Sequence, residues 1–289
     1  MRTKDKSSVL IRKVNLTLDN SPETSFESEQ KDTEPISWIT TEPRIPPIQF
    51  DVTLPDCTLN GNLNYSAHIS YAENGRNDVS DTFHGTIPSL SLTIDFGDVV
   101  RGGTLQINLE VPVITPDGKA QTLTYTYVSG IRGTNPSKAD VKSALGDIEF
   151  KVIAYKESKP KFKQFDERGL PIFGPPHGFG IMQLDNPPAS ARQLWDWRQN
   201  IEGGKSLFRI KEKELRQYFK NVRKVHPEAP ELTADQFRLA YYQYYNGGVY
   251  WGWNDKSKRW EKVGITKYGD NALRIENLVK SGTPPPGWD

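Results

Sequence analysis

The chain has 289 residues, a formal net charge of +1 at pH 7, four histidines and a single cysteine. This length is enough for two domains, and the lone Cys57 excludes an internal disulfide bond. Because a zinc site needs clustered Cys and His ligands, no metal site is predicted, and no cofactor is expected. No apolar run reaches the roughly 18 residues of a membrane-spanning helix, and residues 1–6 are not followed by the apolar segment of an export signal, so neither membrane insertion nor a classical signal peptide is expected.

Charge is distributed unevenly between the two halves of the chain. Residues 1–130 contain 10 Lys and Arg against 17 Asp and Glu, whereas residues 131–289 contain 27 against 19. The second half therefore suits an anionic polymer, because a basic surface raises the local concentration of such a ligand. A solvated surface of mixed charge is the alternative. Nucleic acid is not expected as a partner, because the basic residues are interspersed with acids and show no groove-reading motif.

Residues 1–35 are polar and lack sustained periodicity, which predicts a flexible arm. From residue 36 to residue 130, apolar and polar residues alternate, which predicts strands with one buried face. Turn-forming sequences such as Glu73-Asn74-Gly75 separate these strands. Many short strands with such turns predict an all-β antiparallel sandwich of immunoglobulin-like outline, which would serve as an accessory domain.

The hydrophobic period changes near residue 135. Ser137 followed by Asp140 predicts a capped helix start, and the apolar spacing from Val141 to Tyr155 predicts one amphipathic helix that ends near Glu157. Further helices are predicted at about 188–200, 201–225, 233–246 and 269–280, with a small hairpin between residues 251 and 261. Residues 131–289 are therefore predicted to form a second, mainly α domain.

Four sequence blocks occur in order within this second half. They are residues 154–158 (Ala-Tyr-Lys-Glu-Ser), 178–185 (Gly-Phe-Gly-Ile-Met-Gln-Leu-Asp), 199–204 (Gln-Asn-Ile-Glu-Gly-Gly) and 239–248 (Leu-Ala-Tyr-Tyr-Gln-Tyr-Tyr-Asn-Gly-Gly). Together they resemble the goose-type lysozyme and soluble lytic transglycosylase branch of the lysozyme superfamily. The resemblance implies a lysozyme-like fold for residues 131–289. It also implies an enzyme, a muramidase that cleaves the MurNAc-GlcNAc β-1,4 bond of peptidoglycan.

The resemblance implies that Glu157 is the catalytic general acid. Proton delivery to a glycosidic oxygen near neutral pH requires a carboxyl group in an apolar setting, and Glu157 ends an apolar-striped helix. Asp185 is the first candidate for the second carboxylate, because goose-type lysozymes carry an Asp at the matching place. Asp166 and Glu167 are alternatives, although residues 165–170 are also typical of an ordinary hairpin loop.

The chain departs from the goose-type pattern shortly before residue 178. Those enzymes carry a further Asp there, which is matched in this sequence by Gly174 or Pro175. The departure leaves two reactions open. Hydrolysis needs a base for water, whereas lytic transglycosylation gives anhydroMurNAc products with a single general acid.

Several other positions match family residues that line the glycan-binding cleft. Their amides and flat side chains suit N-acetyl groups and sugar rings, and their glycines permit close backbone approach. Core packing is the alternative for Met182, and it is the expected role of the tryptophans. The substrate-binding residues that the resemblance implies are Ser158, Gly180, Met182, Gln183, Tyr245 and Asn246.

Residues 158–187 look like lysozyme domains at the ends of secreted bacterial effectors of the type VI kind. That likeness implies an antibacterial toxin made in the cytoplasm, exported by a dedicated secretion or phage system and active in the periplasm. Its partners would be peptidoglycan strands, a component of the secretion machine and a cognate immunity protein. Two other classes of function are weighed against the enzyme, a non-catalytic glycan-binding module and a protein-binding adaptor.

Overall fold

The structure, a computed structural model, describes residues 10–18, 27–31, 37–158 and 161–289. The chain forms two compact units. Unit 1 comprises residues 1–135, 164–173 and 190–196, and unit 2 comprises residues 136–163, 174–189 and 197–289. Within the described ranges, no helix is both long enough and apolar enough to cross a membrane.

The described part of unit 1 is built mainly from strands. The main sheet has the order β2-β10-β9-β6-β7, with β3 also paired to β10 and β5 to β9, and a smaller sheet has the order β1-β4-β8. The strands are β1 (Leu10–Asn15), β2 (Glu27–Lys31), β3 (Ser37–Ile39), β4 (Ile48–Thr53), β5 (Thr58–Leu59), β6 (Leu63–Tyr71), β7 (Val79–Ile87), β8 (Ser91–Ile94), β9 (Gly103–Ile114) and β10 (Ala120–Gly133).

Two of these strands, β1 and β2, lie within residues 1–35, for which the sequence predicts a flexible arm. Residues 1–9, 19–26 and 32–36 lie outside the described part of the chain, so the prediction for those positions has no structural counterpart. The strand β1 pairs in parallel with β4, and β2 pairs in parallel with β10.

The core of unit 1 follows the alternation that the sequence predicts. Along β9, every second side chain is buried, from Leu105 through Ile107 and Leu109 to Val111 and Val113. Successive side chains of a strand point to opposite faces. The period-two pattern therefore gives β9 one apolar face, and the predicted alternation is confirmed for this strand.

The predicted fold class, an immunoglobulin-like antiparallel sandwich followed by a mainly α lysozyme-like domain, is wrong. The protein is mixed α/β, with about 30% helix and 31% strand, and it contains a curled half-barrel sheet that is not clearly an immunoglobulin-like sandwich. The parallel pairings of β1 with β4, and of β2 and β3 with β10, also depart from an all-antiparallel arrangement. Alternation fixes which face of a strand is buried, but it leaves the partner strand and its direction open.

Two segments from the second half of the chain complete unit 1. Trp195 is fully buried, with its ring centroid 5.4 Å from that of Tyr71 and 5.9 Å from that of Phe165. A Cβ atom at Gly102 would lie 2.4 Å from the Trp195 ring, and one at Gly133 would lie 2.3 Å from the Phe165 ring. These glycines make room for the two large rings, so residues 164–173 and 190–196 pack as part of unit 1.

Unit 2 contains most of the helices. The second half of the chain also has two hairpins, one of β11 (Phe173–Gly174) with β12 (Gly178–Phe179) and one of β13 (Trp251–Asn254) with β14 (Arg259–Lys262). The helices of the chain are α1 (Lys138–Leu145), α2 (Ile148–Glu157), α3 (Ala191–Trp195, in unit 1), α4 (Trp197–Val225), α5 (Ala234–Tyr245) and α6 (Lys267–Lys280).

The single helix predicted between residues 137 and 157 is wrong, because the chain breaks it into α1 and α2. Gly146 follows α1 with a φ of 73°, a left-handed conformation that glycine adopts without a steric penalty. Asp147 is then extended and begins α2. The predicted start is confirmed, because the Ser137 side chain accepts a hydrogen bond from the backbone N–H of Asp140.

A buried carboxylate joins three helices of unit 2. Glu276 of α6 is fully buried, and it accepts hydrogen bonds from Arg238 and, at 2.7 Å, from the Tyr242 hydroxyl. The Lys280 ammonium lies 2.5 Å from the same carboxylate, and Arg238 also lies 3.2 Å from Glu149 of α2. Burial alone would raise the pKa of Glu276, but Lys280, Tyr242 and Arg238 together hold it below its usual range.

Candidate functional site

Three of the four sequence blocks meet at one cavity of unit 2, which has a volume of about 320 Å³. Glu157 comes from the end of α2, Gln183 and Asp185 from the loop after β12, and Tyr245 and Asn246 from the end of α5. These residues are up to 89 positions apart in sequence. The other described residues that line the cavity are Gly174, Pro175, Pro176, Gly178, Asn186, Leu207, Lys211 and Gly247.

Glu157 is the last residue of α2, and its neighbour Ser158 fixes the end of that helix. Ser158 is fully buried, and its Oγ donates a 2.6 Å hydrogen bond to the carbonyl oxygen of Ala154. The same Oγ accepts a 2.7 Å hydrogen bond from the backbone N–H of Phe162. Ser158 is not among the residues that line the cavity. The contacts of its hydroxyl within unit 2 support the helix end that presents Glu157.

Tyr268 of α6 contacts the candidate acid directly. Its hydroxyl donates a hydrogen bond to Oε1 of Glu157, and the Lys156 ammonium lies 4.1 Å from the centre of the Tyr268 ring. Burial, followed by the charge of Glu157, raises the pKa of Tyr268 well above its usual range. Tyr268 therefore stays protonated and can orient the Glu157 carboxyl group. Sequence reasoning missed Tyr268, because it lies 111 residues from Glu157 and outside all four blocks.

Tyr245 joins the end of α5 to the loop that carries Gln183 and Asp185. Its hydroxyl donates a 3.0 Å hydrogen bond to the backbone carbonyl of Met182, and its side chain lines the cavity. Burial, and then the charge of Glu157, raises the pKa of Tyr245. Tyr245 thus holds one cavity wall in place while presenting its ring beside Glu157.

Gln183 occupies a backbone conformation that is uncommon for a residue with a side chain. Its φ is 48°, and its Nε2 donates a 2.8 Å hydrogen bond to the carbonyl oxygen of Gly180. A Cβ atom at Gly174 would lie 1.9 Å from Gln183 Oε1, and one at Gly178 would lie 2.8 Å away. The amide of Gln183 therefore fills the space of a side chain at position 174. A larger side chain at position 174, such as that of Asp, would therefore collide with this amide.

The third sequence block supports this wall from α4. Asn200 is fully buried, its Oδ1 accepts a 2.9 Å hydrogen bond from the N–H of Met182, and its Nδ2 donates a 3.0 Å bond to the carbonyl of Phe179. Gly204 follows one turn later, where a Cβ atom would lie 2.5 Å from the Met182 side chain. Met182 is fully buried and does not line the cavity. Its side chain fills the core beneath the wall.

The candidate second carboxylates fall in different units. Asp185 lines the same cavity as Glu157. Asp166 and Glu167 belong to unit 1, and neither lines that cavity. The Asp166 carboxylate accepts hydrogen bonds, each 2.9 Å long, from the backbone N–H groups of Arg168 and Leu170, and Glu167 is exposed. Asp166 therefore stabilises its own hairpin loop.

One group within the described part of the chain could hold a metal ion. Ligand atoms of His226, Glu228 and Asp255 lie within 4.8 Å of one another. The Lys258 ammonium is 2.9 Å from Glu228 and 3.6 Å from Asp255, so it already compensates both carboxylates. None of these residues lines the cavity that contains Glu157.

No protein-family model, curated protein or solved structure matches this chain. The resemblance to goose-type lysozymes and lytic transglycosylases therefore rests on the four sequence blocks themselves.

Proposed function

We propose that the protein is an enzyme that cleaves the MurNAc-GlcNAc β-1,4 bond of peptidoglycan glycan strands, with Glu157 as the general acid. The observation that carries this proposal is the meeting of Glu157, Gln183, Asp185, Tyr245 and Asn246 at one cavity. The sequence resemblance selects these residues from separate parts of the chain. Their meeting at one cavity, although they lie in separate blocks of the sequence, supports a shared role.

In the proposed reaction, the Glu157 carboxyl group donates its proton to the glycosidic oxygen as the bond to C1 of MurNAc breaks. The Tyr268 hydroxyl binds Oε1 of Glu157 and restricts rotation of the carboxyl group. A positioned proton donor contributes typically about 10²- to 10⁴-fold to a rate. In the transglycosylase alternative, the ionised Glu157 then accepts the proton of the attacking C6 hydroxyl group of MurNAc.

Asp185 is the proposed partner of Glu157 in the hydrolytic reaction. Among the described residues that line the cavity, Asp185 and Glu157 are the two that carry a carboxyl group. An inverting hydrolase uses such a group as the base that activates water, with the two carboxyl groups about 6.5 to 9.5 Å apart. In the transglycosylase alternative, the C6 hydroxyl of MurNAc attacks C1 and Asp185 has no proton to accept.

Glycan binding is assigned to the polar and aromatic groups of the same cavity. The amides of Gln183 and Asn246 can hydrogen-bond to N-acetyl groups, and the ring of Tyr245 offers a flat face for a sugar. Gly178 and Gly247 also line the cavity and let the glycan approach the backbone closely. Met182 and Ser158 would then act from beneath the surface, by packing and by hydrogen bonding.

A second candidate function, a glycan-binding module without turnover, is favoured by the glycine at position 174. The Asp of the goose-type pattern is matched by Gly174 or Pro175, and at position 174 the Gln183 amide occupies the space that a larger side chain would need. If Asp185 does not replace that base and no MurNAc hydroxyl attacks, the cavity binds strands without cleaving them.

We also propose that the protein acts as an antibacterial effector outside the cytoplasm. The support is the likeness of residues 158–187 to lysozyme domains of secreted bacterial effectors. Delivery would require a secretion or phage system, and an immunity protein would protect the producing cell. Lysis of cells that express the chain with an added export signal, and survival of cells that express it in the cytoplasm, is the expected outcome. Equal survival in both cases would contradict this role.

Incubation of the purified protein with sacculi, followed by mass spectrometry of the released muropeptides, tests the proposed reaction. Hydrolysis gives reducing MurNAc ends, transglycosylation gives anhydroMurNAc ends, and a binding module gives sedimentation with sacculi but no release. The Glu157→Gln variant is the matched control, because it keeps the shape of the side chain and cannot donate an acidic proton.

A further inference from the structure

The cavity contains a cation that the proposed chemistry does not use. Lys211 of α4 lines it together with Glu157 and Asp185. We propose that Lys211 makes this cleft selective for anionic strands, by pairing with a carboxylate of the lactyl-peptide substituent that MurNAc carries. This proposal rests on the proposed function, and it adds the substrate form that the site prefers.

A single face of α4 leads from the cavity wall to Lys211. Asn200, Gly204, Leu207 and Lys211 are spaced by four, three and four residues, which places them on one side of an α-helix. The first two hold the wall formed by Phe179 and Met182, and the last two line the cavity. With a rise of about 1.5 Å per residue, Lys211 lies roughly 10 Å beyond Gly204 along the helix axis. It is thus set apart from the wall that Gly204 supports.

The balance of charge in the cavity gives Lys211 its significance. Among the described residues that line the cavity, Glu157 and Asp185 are the acids and Lys211 is the sole Lys or Arg. Even while Glu157 carries the proton that it will donate, an anionic strand that entered the cleft without Lys211 would meet the Asp185 carboxylate and be repelled, since like charges in a partly desolvated site destabilise binding. The Lys211 ammonium supplies the compensating attraction.

The Lys211 side chain is held in place but is not buried. Its Nζ lies 3.2 Å from Oε2 of Glu214 and 5.6 Å from the centre of the Tyr244 ring. The side chains of Lys211 and Glu214 are 31% and 46% exposed, so their ion pair contributes little free energy. A substrate carboxylate can therefore share or replace Glu214 at small cost, and it meets an ammonium that is already oriented.

The chemistry of the strand identifies the ligand group. The glycan backbone of alternating N-acetylated sugars is neutral, and its negative charge resides in the lactyl-peptide substituents of MurNAc. A site that selects its ligand by charge therefore distinguishes strands with free carboxylates from strands whose carboxylates are amidated. Neutral N-acetylglucosamine oligomers, which also carry no carboxylate, should be bound as weakly as the amidated strands.

Cleavage of paired substrates tests the assignment. Soluble tetrasaccharide-peptide fragments are compared with the same fragments after carbodiimide-driven amidation of their carboxylates, for the wild type, Lys211→Met, Lys211→Arg and Lys213→Met. Lys213 is exposed on the same helix and does not line the cavity, so its variant makes the same charge change as a matched control. Affinities for both forms are also measured by calorimetry in the Glu157→Gln background, with and without Lys211→Met.

The wild type is expected to prefer the carboxylate form by about threefold to tenfold in kcat/KM, as for a partly exposed ion pair. Lys211→Met is expected to bring this ratio close to one through a higher KM, whereas Lys211→Arg and Lys213→Met keep it. A wild-type ratio near one, or an unchanged ratio in Lys211→Met, overturns the assignment of Lys211. If the wild type cleaves neither form, the proposed reaction is wrong, and the affinity ratio in the Glu157→Gln background still decides the role of Lys211.

Discussion

The hydroxyl group of Tyr268 donates a hydrogen bond to Oε1 of Glu157, and so links the first turn of α6 to the last residue of α2. A carboxyl group at a helix end can rotate freely unless a neighbour fixes it. Here the neighbour is a phenol whose pKa is raised, first by burial and then by the charge of Glu157, so it remains a donor. This hydrogen bond therefore fixes the orientation of the Glu157 carboxyl group.

We predict that Tyr268→Phe lowers kcat on sacculi about tenfold, because the variant keeps the ring but loses the hydrogen bond that orients Glu157. Tyr218→Phe is the matched control, since it removes a 3.3 Å hydroxyl bond to the Trp251 carbonyl elsewhere in unit 2. Turnover and melting temperature are measured for both. Equal losses of activity in the two variants would show that Tyr268 acts only through stability.

Replacement of Glu157 by Gln is expected to lower the rate of glycan cleavage at least about a hundredfold, the lower reach of general-acid catalysis. The variant should still bind sacculi, because its shape is unchanged and its hydrogen-bonding capacity is retained. Release of soluble muropeptides and sedimentation with sacculi are the two measurements. Lysis at the wild-type rate by a folded variant would assign the acid elsewhere.

We predict that the Asp185→Asn substitution suppresses products with reducing MurNAc ends far more than it weakens binding to sacculi. The carboxylate would be lost as the base for water, while the cavity wall stays in place. Asp166→Asn is the control, because it disturbs a carboxylate that accepts two backbone hydrogen bonds in unit 1 and does not line the cavity. It should lower the melting temperature and leave the product ratio unchanged. Normal hydrolysed product from a stable Asp185→Asn variant would remove Asp185 from the mechanism.

Gly174→Ala is predicted to weaken glycan binding about tenfold with a change in the free energy of unfolding of no more than about 1 kcal/mol. The new Cβ atom would lie 1.9 Å from Gln183 Oε1, the mobile end of a flexible side chain, so the amide is displaced while the backbone stays. The same substitution in a Gln183→Ala background is the control. Because the collision partner is then gone, Gly174→Ala should cause no further loss. Additive losses would contradict the role given to Gln183.

The hydrogen bonds and ion pairs of Glu276 predict that the free energy of unfolding depends on pH. The pKa of Glu276 is lowered in the folded protein, so its contribution is fully present above the unfolded value of 4.5 and is lost as the pH falls through the folded value. Glu276→Gln should lower the free energy of unfolding by about 2 kcal/mol at pH 7. That difference should shrink between pH 5 and pH 3 in urea titrations. The exposed Glu167→Gln variant, which makes the same chemical change outside this network, serves as the control. A pH-independent difference for Glu276→Gln would contradict the charged state of the network.

Local patterns predicted the parts of the site that depend on local structure. The apolar spacing indicated the helix end at Glu157 but missed the break at Gly146, and the glycines marked the block around Gln183. The sequence did not predict roles for Tyr268 and Lys211, because these residues of α6 and α4 come near Glu157 only in the folded chain. The same distinction applies to the fold. Alternation revealed the buried face of β9, but the parallel partners of β4 and β10 depend on contacts that no local period encodes.

The division of the chain into units bears on how such a protein can evolve. The chain passes between the units at residues 135/136, 163/164, 173/174, 189/190 and 196/197. Two modules fused end to end would need a single passage, and one recombination event could then exchange either of them. Here an exchange of unit 1 would have to replace three separate segments, two of which flank residues 174–189. A single exchange of one continuous stretch therefore cannot replace unit 1 without also replacing residues 174–189, which carry Gln183 and Asp185.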